Sequence, residues 1–156
     1  SVFSFELDYQ IVQKATSHNI IKYQQVDLDT AVLKGKNILI VEDNRTTQMV
    51  TNKILEKDDA LCTIAENGQE ALDALKTNVY DLILMDVNMP VMNGLEATKL
   101  IKRDHHVPII ALTAVEIAEM RQNILDAGMN DIIIKPYDVK TFKQVIIKNI
   151  QDQKNL

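Results

Sequence analysis

The sequence predicts an α/β domain built on a doubly wound parallel sheet with helices on both faces. Three observations carry that prediction. Five short apolar runs recur between residues 36 and 152: Asn37–Val41, Leu61–Ala65, Leu82–Met85, Val107–Leu112 and Ile132–Ile134. Such runs, lacking polar alternation, suit strands buried on both faces. Stretches with helical spacing separate them, and the two kinds of segment alternate. Alternation of this kind implies parallel strands whose right-handed crossovers cover the sheet on both sides.

The helices follow in order. Asn44 caps the first, and Met49, Val50 and Ile54 are expected to face inward. Asn67 and Glu70 form a cap-like pair for the second, followed by Ala71, Leu72 and Leu75. Leu95, Leu100 and Ile101 suit a third helix. Ile117, Met120 and Ile124 suit a fourth, closed by Gly128. Asp138 caps a fifth, with Phe142, Val145, Ile146 and Ile150 on one face. Aromatic residues are 4% and Trp is absent, so aliphatic side chains and Met must build the core.

The N-terminal stretch breaks this scheme. Phe3, Phe5, Leu7 and Tyr9 alternate with Ser4, Glu6 and Asp8, a half-buried strand pattern. Gln13–Gly35 is polar without a sustained period. A lone amphipathic strand cannot bury its apolar face unaided. Residues 1–12 therefore read as the end of a preceding domain, 13–35 as a linker and 36–152 as the main domain. The alternative is a local extension that pairs with the core.

Composition narrows the function classes. Charged residues at 25% and hydrophobic ones at 46% exclude wholesale disorder. The net charge of −5 argues against nonspecific binding to nucleic acid and against direct contact with an anionic membrane. A single cysteine, Cys62, excludes an internal disulfide framework and reads as a small buried hydrophobe. No apolar run reaches the ~18 residues that span a membrane, and no signal-peptide layout opens the chain. The expected setting is cytoplasmic, compatible with a parent anchored at the inner face of the cell membrane.

Chemistry concentrates at the strand ends. Strand one runs into Glu42-Asp43, strand three into Asp86, strand four into Thr113 and strand five into Lys135-Pro136. In open parallel sheets the C-terminal strand ends share one edge, where ligands bind. Three carboxylates in one pocket repel, and a hard divalent cation with oxygen ligands compensates them. Mg²⁺ suits such a site. Met85, Met89 and Met92 surround Asp86, but thioethers prefer soft ions and the oxygen-rich setting does not. His18 and His105-His106 read as solvated loop residues.

The stretches Ile38–Asn44, Asp81–Gly94, Ala111–Ala114, Ala127–Asp131 and Lys135-Pro136 together resemble the receiver domain of two-component response regulators and hybrid histidine kinases. The resemblance spans roughly Lys36 to Ile150. It implies a flavodoxin-like (βα)5 fold with strand order 2-1-3-4-5. It implies Asp86 as the acceptor of a phosphoryl group from phosphohistidine. Mg²⁺ would be held by Glu42, Asp43, Asp86 and the backbone carbonyl of Asn88, with Glu42 acting directly or through water. Thr113 and Lys135 would contact phosphoryl oxygens, and the Lys135–Pro136 peptide would be cis. Pro90 and Gly94 would shape the loop after Asp86, Pro90 by fixing φ and Gly94 by tolerating unusual angles.

Implied partners are the phosphohistidine domain of a sensor kinase and a histidine phosphotransfer domain. Three residues before the lysine, where many receivers carry Tyr or Phe, stands Ile132, so an aromatic swing cannot occur there. Tyr137 is not expected to replace it. Val115 occupies a variable position flanking the site. Ser1–Leu7 resembles the last strand of a histidine kinase ATP-binding domain, which points to a hybrid kinase parent. The receiver alone would be a phosphoryl acceptor rather than a turnover enzyme. Alternatives are a stand-alone regulator receiver, or a docking or dimerisation module without phosphorylation. The strand at residues 2–9 could also pair two copies as a homodimer. A phosphohydrolase is disfavoured because Glu42-Asp43-Asn44 is not Asp-x-Asp. A flavin site is disfavoured because carboxylates would repel its phosphate.

Overall fold

The computed structural model describes residues 29–114 and 118–154. The expected strand at 2–9, most of the linker, Val115 and Ile117 lie outside them. A short 3₁₀ turn, Thr30–Leu33, precedes β1 (Asn37–Val41), α1 (Arg45–Glu56), β2 (Leu61–Ala65), α2 (Gly68–Thr77) and β3 (Leu82–Asp86). There follow α3 (Gly94–Asp104), β4 (Ile109–Thr113), α4 (Ala118–Asp126), β5 (Asp131–Ile134) and α5 (Val139–Lys154). The five strands are parallel, in the order β2-β1-β3-β4-β5. This is the predicted doubly wound sheet.

Strand residues alternate between two cores. Leu39, Val41, Ile83 and Met85 pack with Ala71 and Leu75 of α2, Ala97 and Ile101 of α3 and Ile124 of α4. Ile38, Ile40, Leu82 and Leu84 pack on the other face with Leu55 of α1 and Phe142, Ile146 and Ile150 of α5. Both faces are covered, which is why the central strands read as continuous apolar runs. Leu33 is fully buried in the second core, and its 3₁₀ turn packs on α5. The packed body therefore takes in residues upstream of position 36.

The caps form as their chemistry requires. Asn44, Asn67 and Asn93 accept from the backbone N–H three residues on, at 3.0, 2.9 and 2.9 Å. Glu70 reaches back to the N–H of Glu66 at 2.6 Å. Asp138 accepts from both the N–H and the hydroxyl of Thr141, bonds that hold its carboxyl below the usual range. Gly128 closes α4 at φ 101°, a left-handed position that favours glycine.

Two expectations fail on packing. In α1, Met49 and Val50 are 59% and 50% exposed and Ile54 only half-buried, whereas Gln48, Thr51 and Leu55 face inward. The polar pair is accepted there because both side chains find partners: Gln48 Nε2 donates to the Glu42 carbonyl at 2.6 Å, and Thr51 bonds Tyr137. The second failure is β2. It lies at the sheet edge, and Leu61 and Ile64 are exposed. Cys62 on this strand is only half-buried, not the enclosed hydrophobe expected. Desolvation, with a smaller contribution from Glu56, still raises its pKa to about 11.

Candidate functional site

From β1 the chain winds outward to β2, then returns across to β3, so the winding reverses beside β1. Ligands bind at the carboxyl ends of strands at such a reversal. The register sets what meets there. Val41 pairs with Met85, which brings Glu42 level with Asp86. Thr113 pairs with Ile134, which places Lys135 one residue beyond it, and the Lys135 N–H donates to the Thr113 carbonyl at 2.7 Å.

One carboxylate oxygen from each of Glu42, Asp43 and Asp86 lies within 4.8 Å of the other two. Glu42 and Asp86 are buried and Asp43 is exposed. Lys135 Nζ sits 2.8 Å from Glu42 Oε2 and 3.5 Å from Asp86 Oδ2. Burial by itself would lower the lysine pKa. The hydrogen bond to Glu42 and the charges of Asp86 and Glu42 outweigh that and raise it. The ammonium is thus a fixed positive charge among three carboxylates.

The other Glu42 oxygen, Oε1, accepts from the Asn44 N–H at 3.1 Å. Asp86 Oδ1 accepts from the Asn88 N–H at 3.1 Å. Thr113 is buried, 1% exposed, at the end of β4. Glu42, Asp43, Asp86 and Lys135 are therefore brought together directly. Asn88 joins the cluster through its N–H bond to Asp86, and Thr113 joins it through its backbone bond to Lys135. The donor set is all oxygen with a net negative charge, which fits a hard divalent ion such as Mg²⁺.

The loop after Asp86 corrects the roles expected of its turn residues. The left-handed angle falls on Val91, φ 70°, and not on Gly94. Met92 N–H donates to the Pro90 carbonyl at 2.8 Å, a γ-turn centred on Val91. Gly94 is required for closeness instead. A methyl group there would run into the Asp86 backbone oxygen and stand 3.0 Å from Met85 Cγ. Gly68 is also confined, though less tightly, against Ala97 and the Met92 carbonyl. The Lys135–Pro136 peptide is cis, as expected.

Sequence reasoning missed Gln48, which holds the Glu42 carbonyl, and Thr51, and it considered Tyr137 only as a replacement for an aromatic at Ile132, not as the hydrogen-bond partner of Thr51. The signal for Gln48 and Thr51 was weak: two polar residues three apart on α1, with the more hydrophobic Met49 and Val50 between them.

The family model of the response regulator receiver domain matches residues 38–147. The chain belongs to that family. The receiver chain is 36% identical over 126 residues to the aerobic respiration control sensor protein ArcB of Escherichia coli, covering 78% of this chain and 16% of that protein. It is 33% identical over 126 residues to sensor histidine kinase GacS of Pseudomonas protegens, covering 77% and 14%. Against hybrid signal transduction histidine kinase B of Dictyostelium discoideum it is 38% identical over 136 residues, covering 78% and 7%. The receiver chain thus spans less than a fifth of these relatives' lengths.

Among solved structures, the receiver domain of sensor histidine kinase PA1611 from Pseudomonas aeruginosa matches with a TM-score of 0.71 at 37% identity, covering 75% of this chain and 98% of that one. That structure holds a magnesium ion in its active site cleft. The chemotaxis protein CheY4 of Vibrio cholerae also matches, with a TM-score of 0.71 at 26% identity, covering 74% and 98%. Among the described residues of the receiver no helix is long and apolar enough to cross a membrane.

Proposed function

We propose that this receiver takes a phosphoryl group from a phosphohistidine onto Asp86 and relays it within a hybrid histidine kinase pathway. The observation that carries the reading is the three-carboxylate cluster with Lys135 at its edge, set where the winding of the sheet reverses. An Asp86 carboxylate oxygen forms a bond to phosphorus while the P–N bond to imidazole breaks, and the imidazole leaves with the electron pair. Bound Mg²⁺ would neutralise charge on the carboxylates and the phosphoryl oxygens.

The chain's own residues do the positioning, the main catalytic device in a loose phosphoryl transfer. Asp43, Asp86 and the Asn88 carbonyl would hold the ion. Both Glu42 oxygens already accept hydrogen bonds, which favours its acting through water. Lys135 leaves Asp86 for a phosphoryl oxygen on the modified side chain, and the Thr113 hydroxyl binds another. Relatives named as sensor and hybrid kinases support a kinase parent. The donor is then a kinase phosphohistidine, and the next acceptor a histidine phosphotransfer domain.

Asp86→Asn tests the reading. Labelling from a phosphorylated histidine kinase domain or from acetyl phosphate should disappear. Labelling at the wild-type level would refute Asp86 as acceptor.

A further inference from the structure

The acidic and basic halves of the site arrive from opposite ends of the domain, 93 residues apart in sequence for Glu42 and Lys135. Something must set their separation. On the acidic side, Gln48 of α1 donates to the Glu42 carbonyl at 2.6 Å. One turn further along α1, the hydroxyl of Thr51 lies 3.1 Å from the hydroxyl of Tyr137. Thr51 is fully buried, so a hydroxyl stripped of that partner would be costly. Tyr137 stands two residues after Lys135. Its ring stacks on Phe142 of α5 with centroids 4.7 Å apart and planes at 14°. Phe142 is itself fully buried and fixed in the second core. The segment that carries Tyr137 begins at Lys135, tied to Thr113, and ends at Asp138, tied to Thr141. Pro136 between these ties has no N–H to donate.

We infer that Tyr137 is a positioning residue, holding the Lys135 segment to the same helix that anchors Glu42. α1 is then the common reference for both halves of the site. The Phe142 stack sets the ring plane, and the Thr51 hydrogen bond sets its reach. Ile132 has no polar group to do this, so the tie between site and helix layer passes through the residue after Pro136.

The inference rests on the phosphoryl-acceptor reading, and the experiment separates the two. Beryllofluoride binding in the presence of Mg²⁺ is measured by NMR on the full chain, as wild type, Tyr137→Phe, Thr51→Val, the double variant and Thr51→Ser. Each of the first two variants should weaken beryllofluoride binding about threefold to tenfold, the range of one hydrogen bond. The double variant should be no weaker than either single one, and Thr51→Ser, which keeps the hydroxyl, should match wild type. Mg²⁺ affinity measured without beryllofluoride should not fall, because the carboxylates keep their own anchors. Wild type that fails to bind beryllofluoride overturns the acceptor reading itself. Wild type that binds it, with variants that bind equally well, with additive losses, or with Mg²⁺ affinity falling in parallel, overturns the role of Tyr137.

Discussion

Replacing Lys135 by Met removes one charge and keeps most of the apolar stem. At an effective dielectric of about 20, the contacts at 2.8 Å to Glu42 and 3.5 Å to Asp86 are worth roughly 6 and 5 kcal/mol of gross attraction. Desolvation offsets most of this. A fully buried pair costs about 3–5 kcal/mol when one partner is removed. The lysine side chain is 25% exposed, while that of Glu42 is 2% exposed. The partial exposure of the lysine brings the expected loss to about 2–3 kcal/mol, just below the fully buried range.

Urea unfolding in EDTA should then show a midpoint lowered by about 1–2 M with an unchanged slope. The folded lysine pKa is raised, so its stabilisation is complete below the ordinary lysine value and lost as pH rises through the folded value. The gap between wild type and variant should stay flat from neutral pH to about 9 and close only above about 10.4. Millimolar Mg²⁺ should narrow it, because the ion supplies the missing positive charge. A gap under about 0.5 kcal/mol in EDTA would show the cluster to be a solvated, weakly coupled surface, and would refute the reasoning.

Two further outcomes can be checked directly. Gly94→Ala should lose about 2–3 kcal/mol in urea unfolding and also lower acetyl-phosphate labelling of the folded protein, since the added methyl meets the backbone of Asp86; unchanged stability would contradict the close approach. Cys62, with a pKa near 11, should be about 0.1% thiolate at pH 8 against roughly a quarter for a free thiol. Allowing for the greater nucleophilicity of a high-pKa thiolate, iodoacetamide should alkylate it about 20-fold more slowly than free cysteine, read by mass spectrometry; equal rates would refute the shift.

The sequence by itself determined the strands, the caps and the identity of the clustered side chains. Apolar runs and cap residues act through neighbours a few positions away, so Asn44, Asn67, Asp138 and Gly128 declared their roles locally. Glu42, Asp43, Asp86, Thr113 and Lys135 were legible because parallel strands must end on one edge.

The tertiary structure alone decided which face of α1 turns inward. Hydrophobicity favoured Met49 and Val50, but burial followed partners, and Gln48 and Thr51 had theirs in Glu42 and Tyr137. It also decided that β2 is an edge, which leaves Ile64 in solvent and Cys62 half-covered. It moved the left-handed angle to Val91 and gave Gly94 a steric duty. The Tyr137 partner of Thr51 and the edge place of β2 depend on residues distant in sequence, and the duty of Gly94 depends on the Asp86 backbone across the intervening loop; local spacing carries no record of what will lie across such gaps.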